Sequence, residues 1–157
     1  MRGYLLDANH VSAHFNQNPS FMKKLREVPL DSQWRVCAIT LGEIRASHEM
    51  SASTDQQRRG DYAAFVIEQY EYNALDITVP TSIYYAEIIG RIWQKHPPPS
   101  KKTRTDRHLL NHGVDMNDVW IVSSALDHGL TLLTNDAMTC IREVLPEFKP
   151  QCWTEIT

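Results

Sequence analysis

No run in this 157-residue chain reaches the roughly 18 uninterrupted apolar residues of a membrane span, so no membrane crossing is expected. Cysteine is sparse. Cys37, Cys140 and Cys152 are an odd number, widely spaced and without a Cys-x-x-Cys pair, which argues against a disulfide framework or a thiolate zinc site and points to a reducing, cytoplasmic setting. The seven histidines contain no His-Glu-x-x-His arrangement, and His10 and His14, though helically spaced, are expected on a solvated face and not around a metal. A glycine-rich phosphate loop and a Ser/His/Asp arrangement are both missing. An excess of positive charge is missing too: the net charge is −3, so any attraction to phosphate must be local. The start of the chain meets Asp7 too early to read as a signal peptide.

What is present suits one globular domain spanning residues 1–157, with 42% hydrophobic and 22% charged residues. Short apolar runs alternate with helical spacing. Tyr4-Leu5-Leu6 is too brief for a helix and suits a buried parallel strand ending at Asp7. Helical character follows over residues 11–28, broken at Asn18-Pro19-Ser20. Strands are expected at 35–40, 75–79, 130–134 and 151–156, and further helices at 61–72, 81–95, 117–128 and 137–145. This order predicts a three-layer α/β/α sandwich with a mainly parallel central sheet.

The stretch 113–136 carries the clearest organisation. A helix opens near Asn117 with Asp118 heading the same face as Ile121, Val122 and Ala125, and it stops at Gly129, which can take the left-handed conformation after a helix. A strand follows at once and ends in Thr134-Asn135-Asp136. In open parallel sheets ligands bind at the carboxyl ends of strands, and right-handed crossovers bring those ends to one edge. Asp7, Glu43 and Asp136 then share that edge, and Asp118 enters it from a helix head. Each acid also has an ordinary structural use. Asp118 suits a helix dipole, Asn135-Asp136 suits a turn, Thr40 and Glu43 fit a capping box, and Asp115 suits an N-cap.

Clustered carboxylates repel one another and call for a cation. Oxygen-only ligands suit Mg²⁺ or Mn²⁺, which polarise a phosphoryl oxygen and lower the pKa of a bound water. The chemistry expected is phosphodiester hydrolysis, with Asp7 and Asp118 as the leading metal ligands and Glu43 and Asp136 completing the shell. Asn9 and Thr134 are placed to orient Asp7 and Asp136. Residues 96–112 hold Pro97-Pro98-Pro99 and then Lys101, Lys102, Arg104 and Arg107, either a solvated connection or a contact for an RNA backbone.

Four segments in this order, Leu5-Leu6-Asp7-Ala8-Asn9, Ile39-Thr40-Leu41-Gly42-Glu43-Ile44, Asn117-Asp118-Val119-Trp120-Ile121-Val122-Ser123-Ser124-Ala125 and Gly129-Leu130-Thr131-Leu132-Leu133-Thr134-Asn135-Asp136, resemble the successive acidic motifs of PIN-domain ribonucleases, in particular the VapC toxins of bacterial toxin–antitoxin modules. The resemblance implies an Mg²⁺- or Mn²⁺-dependent endoribonuclease, usually a homodimer, silenced by a VapB-type antitoxin and acting on structured RNA such as tRNA or a ribosomal RNA loop. It makes Asp7, Glu43, Asp118 and Asp136 the four site acids. Many relatives carry a small residue where Trp120 stands. A non-catalytic RNA- or protein-binding PIN domain is the alternative. A phosphatase of the haloacid dehalogenase type ranks below both, because it needs a second aspartate where this chain has Asn9.

Overall fold

Three short strands, all parallel, form the centre of the fold in the computed structural model, which describes residues 2–51 and 55–155. They are β1 (Gly3–Leu6), β2 (Gln33–Arg35) and β3 (Thr131–Leu133), in the order β2-β1-β3. In register Leu5 stands beside Arg35 on one side and Leu132 on the other. Because side chains alternate across a strand, Leu5 and Leu132 point to one face of the sheet and Tyr4, Leu6 and Leu133 to the other. All five are buried, as expected of strands covered on both faces.

Each face is covered by helices. Tyr4, Leu6 and Leu133 pack on α1 (Ala8–Phe15), α2 (Pro19–Glu27), α3 (Ala38–Met50) and α4 (Gln56–Gln69), through Val11, Phe21, Ile44 and Val66. Leu5 and Leu132 pack on α5 (Val79–Lys95), α6 (Thr105–Asn111), α7 (Met116–Asp127) and α8 (Thr139–Val144), through Ile88, Ile92, Leu109, Val122 and Ile141. The expected α/β/α sandwich with a parallel sheet is therefore the fold observed. Trp120, the bulky residue of α7, has an explanation here: its ring stacks on Tyr85 of α5 at 3.9 Å between centroids.

The sheet is smaller than the sequence pattern predicts, for identifiable reasons. The strand expected at 35–40 lies earlier, at Gln33–Arg35, and shares only Arg35 with that run, because the chain turns at Cys37 into α3. The run at 75–79 pairs through one residue, Leu75 opposite Cys37, since Thr78 caps α5 and Pro80 sits in its first turn, where a missing N–H costs nothing. The run at 151–156 likewise pairs only at Gln151, opposite Leu133, with residue 156 outside the described residues. The helix expected at 61–72 begins earlier, at Gln56, capped by Asp55. Within the basic segment residues 105–111 form α6, which buries His108 and Leu109. No helix among the described residues is long and apolar enough to cross a membrane.

Candidate active site

Asp7 follows β1 directly and is the N-cap of α1, its Oδ1 accepting the His10 backbone N–H at 2.8 Å. Its own N–H donates to the Leu133 carbonyl at 3.1 Å, so the end of β1 is tied to the end of β3. His10 is fully buried and not on a solvated face as its spacing suggests. Its Nε2 accepts the Trp153 backbone N–H at 3.1 Å, which leaves Nδ1 as the protonated nitrogen, donating to Asp7 Oδ1 at 2.9 Å. Two donors thus hold one Asp7 oxygen, and the other accepts no hydrogen bond among the described residues. His14 is half-buried, bonded to the Tyr70 hydroxyl at 2.6 Å and flanked by Phe65.

Glu43 lies on α3, past its first turn. The expected capping box is not formed: Cys37 is the N-cap, and Thr40 is buried inside the helix with its hydroxyl 3.6 Å from Cys37 Sγ. Glu43 is thereby free of any capping duty. On α7, Asp115 is the N-cap, accepting the Asn117 N–H at 2.7 Å, and Asp118 stands in the first turn, half-buried. Gly129 follows the helix at φ +62°, the conformation that lets the chain enter β3 without a break. Asp136 closes the turn after β3. Its N–H donates to Thr134 Oγ1 at 3.1 Å and its Oδ1 accepts the Met138 N–H at 3.0 Å. Thr134 therefore orients Asp136 through its backbone. Asn9 does not bond Asp7; its amide donates to Asn135 Oδ1 at 3.0 Å and joins the two strand-end loops.

These acids face one another. The Asp118 carboxyl is pushed up to about 7, first by burial and then by repulsion from Asp136, Asp115, Glu43 and Asp7. Glu43 is also raised, by burial, then Asp115, then Asp7. The four acids named from sequence are thus brought together from four separate segments, and Asp115 adds a fifth charge. Sequence favours an N-cap role for Asp115 over a place beside Asp118, and its charge reaches Glu43 because α7 approaches α3. Every donor in the cluster is an oxygen, and burial with the neighbouring carboxylates favours the protonated forms of Asp118 and Glu43. Such a set fits a hard divalent cation such as Mg²⁺ or Mn²⁺.

A cavity of about 350 Å³ opens beside Glu43 and Asn9, between α1, α3 and α4. Phe15 and Tyr62 give it aromatic walls, and Arg58 and Arg59 give it positive charge. The Arg58 guanidinium lies 5.4 Å from the Phe15 ring centroid. Arg59 donates to the His48 carbonyl at 2.7 Å, while its buried Nε has no hydrogen-bond partner among the described residues. The sequence shows both arginines as polar surface; only the fold brings them to the cavity that Glu43 also lines.

The fold is shared with solved structures of low sequence identity. VapBC2 from Rickettsia felis bound to a promoter DNA fragment is 18% identical with a TM-score of 0.68, over 96% of this chain and 98% of that one. VapBC-1 from nontypeable Haemophilus influenzae is 17% identical with a TM-score of 0.69, over 98% and 99% of the two chains. DNA-bound VapBC from Salmonella typhimurium is 20% identical with a TM-score of 0.68, again over 98% and 99%. No curated protein sequence matches the chain. The PIN domain sequence model matches residues 4–144, a span that contains all four acidic motifs and runs from β1 into the end of α8. The chain belongs to the PIN domain family.

Proposed function

We propose that this PIN domain is a metal-dependent endoribonuclease, the toxin of a type II toxin–antitoxin module, which hydrolyses phosphodiester bonds in structured RNA such as tRNA or a ribosomal RNA loop. The observation that carries the reading is the convergence of Asp7, Glu43, Asp118 and Asp136, with Asp118 pushed up to about 7 by burial and by its acidic neighbours. A protein gains nothing in stability from such a cluster, so the cost points to a ligand that relieves it. Asp7, Glu43, Asp118 and Asp136 would hold Mg²⁺ or Mn²⁺. When bound, the ion supplies Lewis acidity toward a phosphoryl oxygen and toward water.

The chain's own groups set up the rest. His10 fixes the rotamer of Asp7, the Thr134 and Met138 contacts fix Asp136, and the first turn of α7 presents Asp118. The arginines and aromatic rings of the adjoining cavity offer phosphate contacts and stacking surfaces to a strand running past Glu43. A VapB-type antitoxin and a second copy of the chain are the expected partners. Supporting this, the relatives of like fold are VapBC complexes, and exposed Met50, Ile67, Val79 and Ile83 are apolar surface for a partner to cover.

The test is incubation of a total tRNA and ribosomal RNA pool with the purified protein in Mg²⁺, Mn²⁺ or EDTA, beside Asp7→Asn and Asp118→Asn. The expected result is discrete fragments that require metal and are lost in both variants. RNA left intact by folded, antitoxin-free protein under every condition would overturn the nuclease reading in favour of a binding role.

A further inference from the structure

A second group of metal-ligating side chains lies outside the acidic cluster. His96 is the residue that ends α5, and Cys140 and Glu143 stand three apart on α8, hence on one face of it. One ligand atom from each lies within 4.8 Å of the others. His96 Nε2 is 3.5 Å from Glu143 Oε2, about the separation of two ligand atoms on one tetrahedral zinc ion at roughly 2.0–2.3 Å each. That Nε2 is buried and, apart from this long approach to Glu143, makes no hydrogen bond among the described residues, so a nitrogen lone pair or N–H faces the group. The surroundings also hold the ligands in place. The His112 ring stacks on His96 at 4.8 Å between centroids, the His112 carbonyl accepts from Cys140 Sγ at 3.0 Å, and His108 Nε2 bonds the His96 carbonyl. Two histidines of the segment joining α5 to α7 thus brace the two helices that carry the ligands.

From this geometry we propose that His96, Cys140 and Glu143 form a second divalent-cation site, selective for a borderline-soft ion of the zinc class. A nitrogen, sulfur and carboxylate set prefers Zn²⁺ or Co²⁺, whereas the oxygen-only cluster prefers Mg²⁺ or Mn²⁺, so one chain sorts two kinds of cation by donor chemistry. On binding, the Cys140 thiol gives up its proton to solvent and its bond to the His112 carbonyl. Lys95, whose ammonium lies 3.5 Å from Glu143 Oε2, is displaced. The ion then clamps the end of α5 to α8, the helix that starts three residues after Asp136.

The test uses full-length Asp7→Asn/Asp118→Asn protein in excess Mg²⁺, so that binding at the acidic cluster is suppressed. Co²⁺ titration is expected to give a thiolate-to-cobalt charge-transfer band at one equivalent, and Zn²⁺ to displace it. Cys140→Ser, nearly isosteric and partly exposed, should abolish the band. His96→Gln should weaken Zn²⁺ binding tenfold or more, Lys95→Ala should tighten it, and Cys152→Ser should change nothing. A band that survives in Cys140→Ser, or folded protein that takes up neither Co²⁺ nor Zn²⁺, would overturn the proposal. The RNA reading stands or falls separately, because the acidic cluster is already disabled in this protein.

Discussion

Replacing Asp118 with asparagine should stabilise the metal-free protein, which is unusual for a half-buried polar residue. Raising its carboxyl from the usual aspartate value near 4 to about 7 corresponds to about 4 kcal/mol between its two protonation states. The side chain keeps part of its contact with water, and screening cuts that figure to about 2 kcal/mol of destabilisation at pH 8. Asparagine keeps the shape and removes the charge. For a domain of this length about 2 kcal/mol is roughly 4–8 °C in the thermal midpoint. The sign follows from proton counting. Between about pH 4 and pH 7 the folded state holds the Asp118 proton and the unfolded state does not, so stability falls as pH rises through that window and levels off above it.

The assay is scanning fluorimetry or calorimetry of parent and variant in EDTA at intervals from pH 4 to pH 8, read as the difference between the two midpoints. That difference should be near zero at pH 4, grow in favour of the variant through pH 7 and then flatten; histidine titrations common to both proteins cancel. Adding Mg²⁺ at pH 8 should raise the parent midpoint and close the gap, since a ligand at 100 times its dissociation constant contributes about 2.7 kcal/mol, more than the roughly 2 kcal/mol that separates the two proteins. A variant no more stable than the parent at pH 8 in EDTA would refute the reasoning, because Asp118 would then not be pressed by burial and by its neighbours.

Other substitutions probe the supports of the site. His10→Ala removes the side-chain donor to Asp7 Oδ1 and the acceptor of the Trp153 N–H, and denaturant titration should show a loss of about 1–3 kcal/mol together with slower RNA cleavage. Gly129→Ala, at φ +62° between α7 and β3, should cost about 1–2 kcal/mol in the same titration. Alanine at exposed Lys101, Lys102, Arg104 and Arg107 should weaken RNA binding and flatten its dependence on salt by about 0.7 in the log–log slope for each lost phosphate contact. An unchanged slope would make this segment a solvated connection.

Much of the layer order could be read along the chain because each element carries its own signal. The run ending at Asp7, the stripe behind Asp118, and Gly129 with its positive φ all encode local geometry that tertiary contacts then accept. The acids could be named because strand ends and helix starts in a parallel sheet meet at one edge whatever the side chains. The outer strands could not be placed, since apolar alternation at 75–79 and 151–156 reports burial and not pairing; a cap at Thr78 and a helix opening at Pro80 decided the first of these. The partners of His10 and the charge that Asp115 adds to the cluster also depend on packing. One depends on Trp153 returning 143 positions later to claim His10 Nε2, the other on the approach of α7 to α3.

The sequence by itself determined β1, β3, α7 and the turn at Gly129, since these follow from the conformational preferences of neighbouring residues, and from them it named four acids for one sheet edge. Only the tertiary structure decided which charges press on Asp118, which nitrogen of His10 carries the proton, and that His96 meets Cys140 and Glu143. Those are properties of distance and burial, which a linear chain does not possess until it is packed.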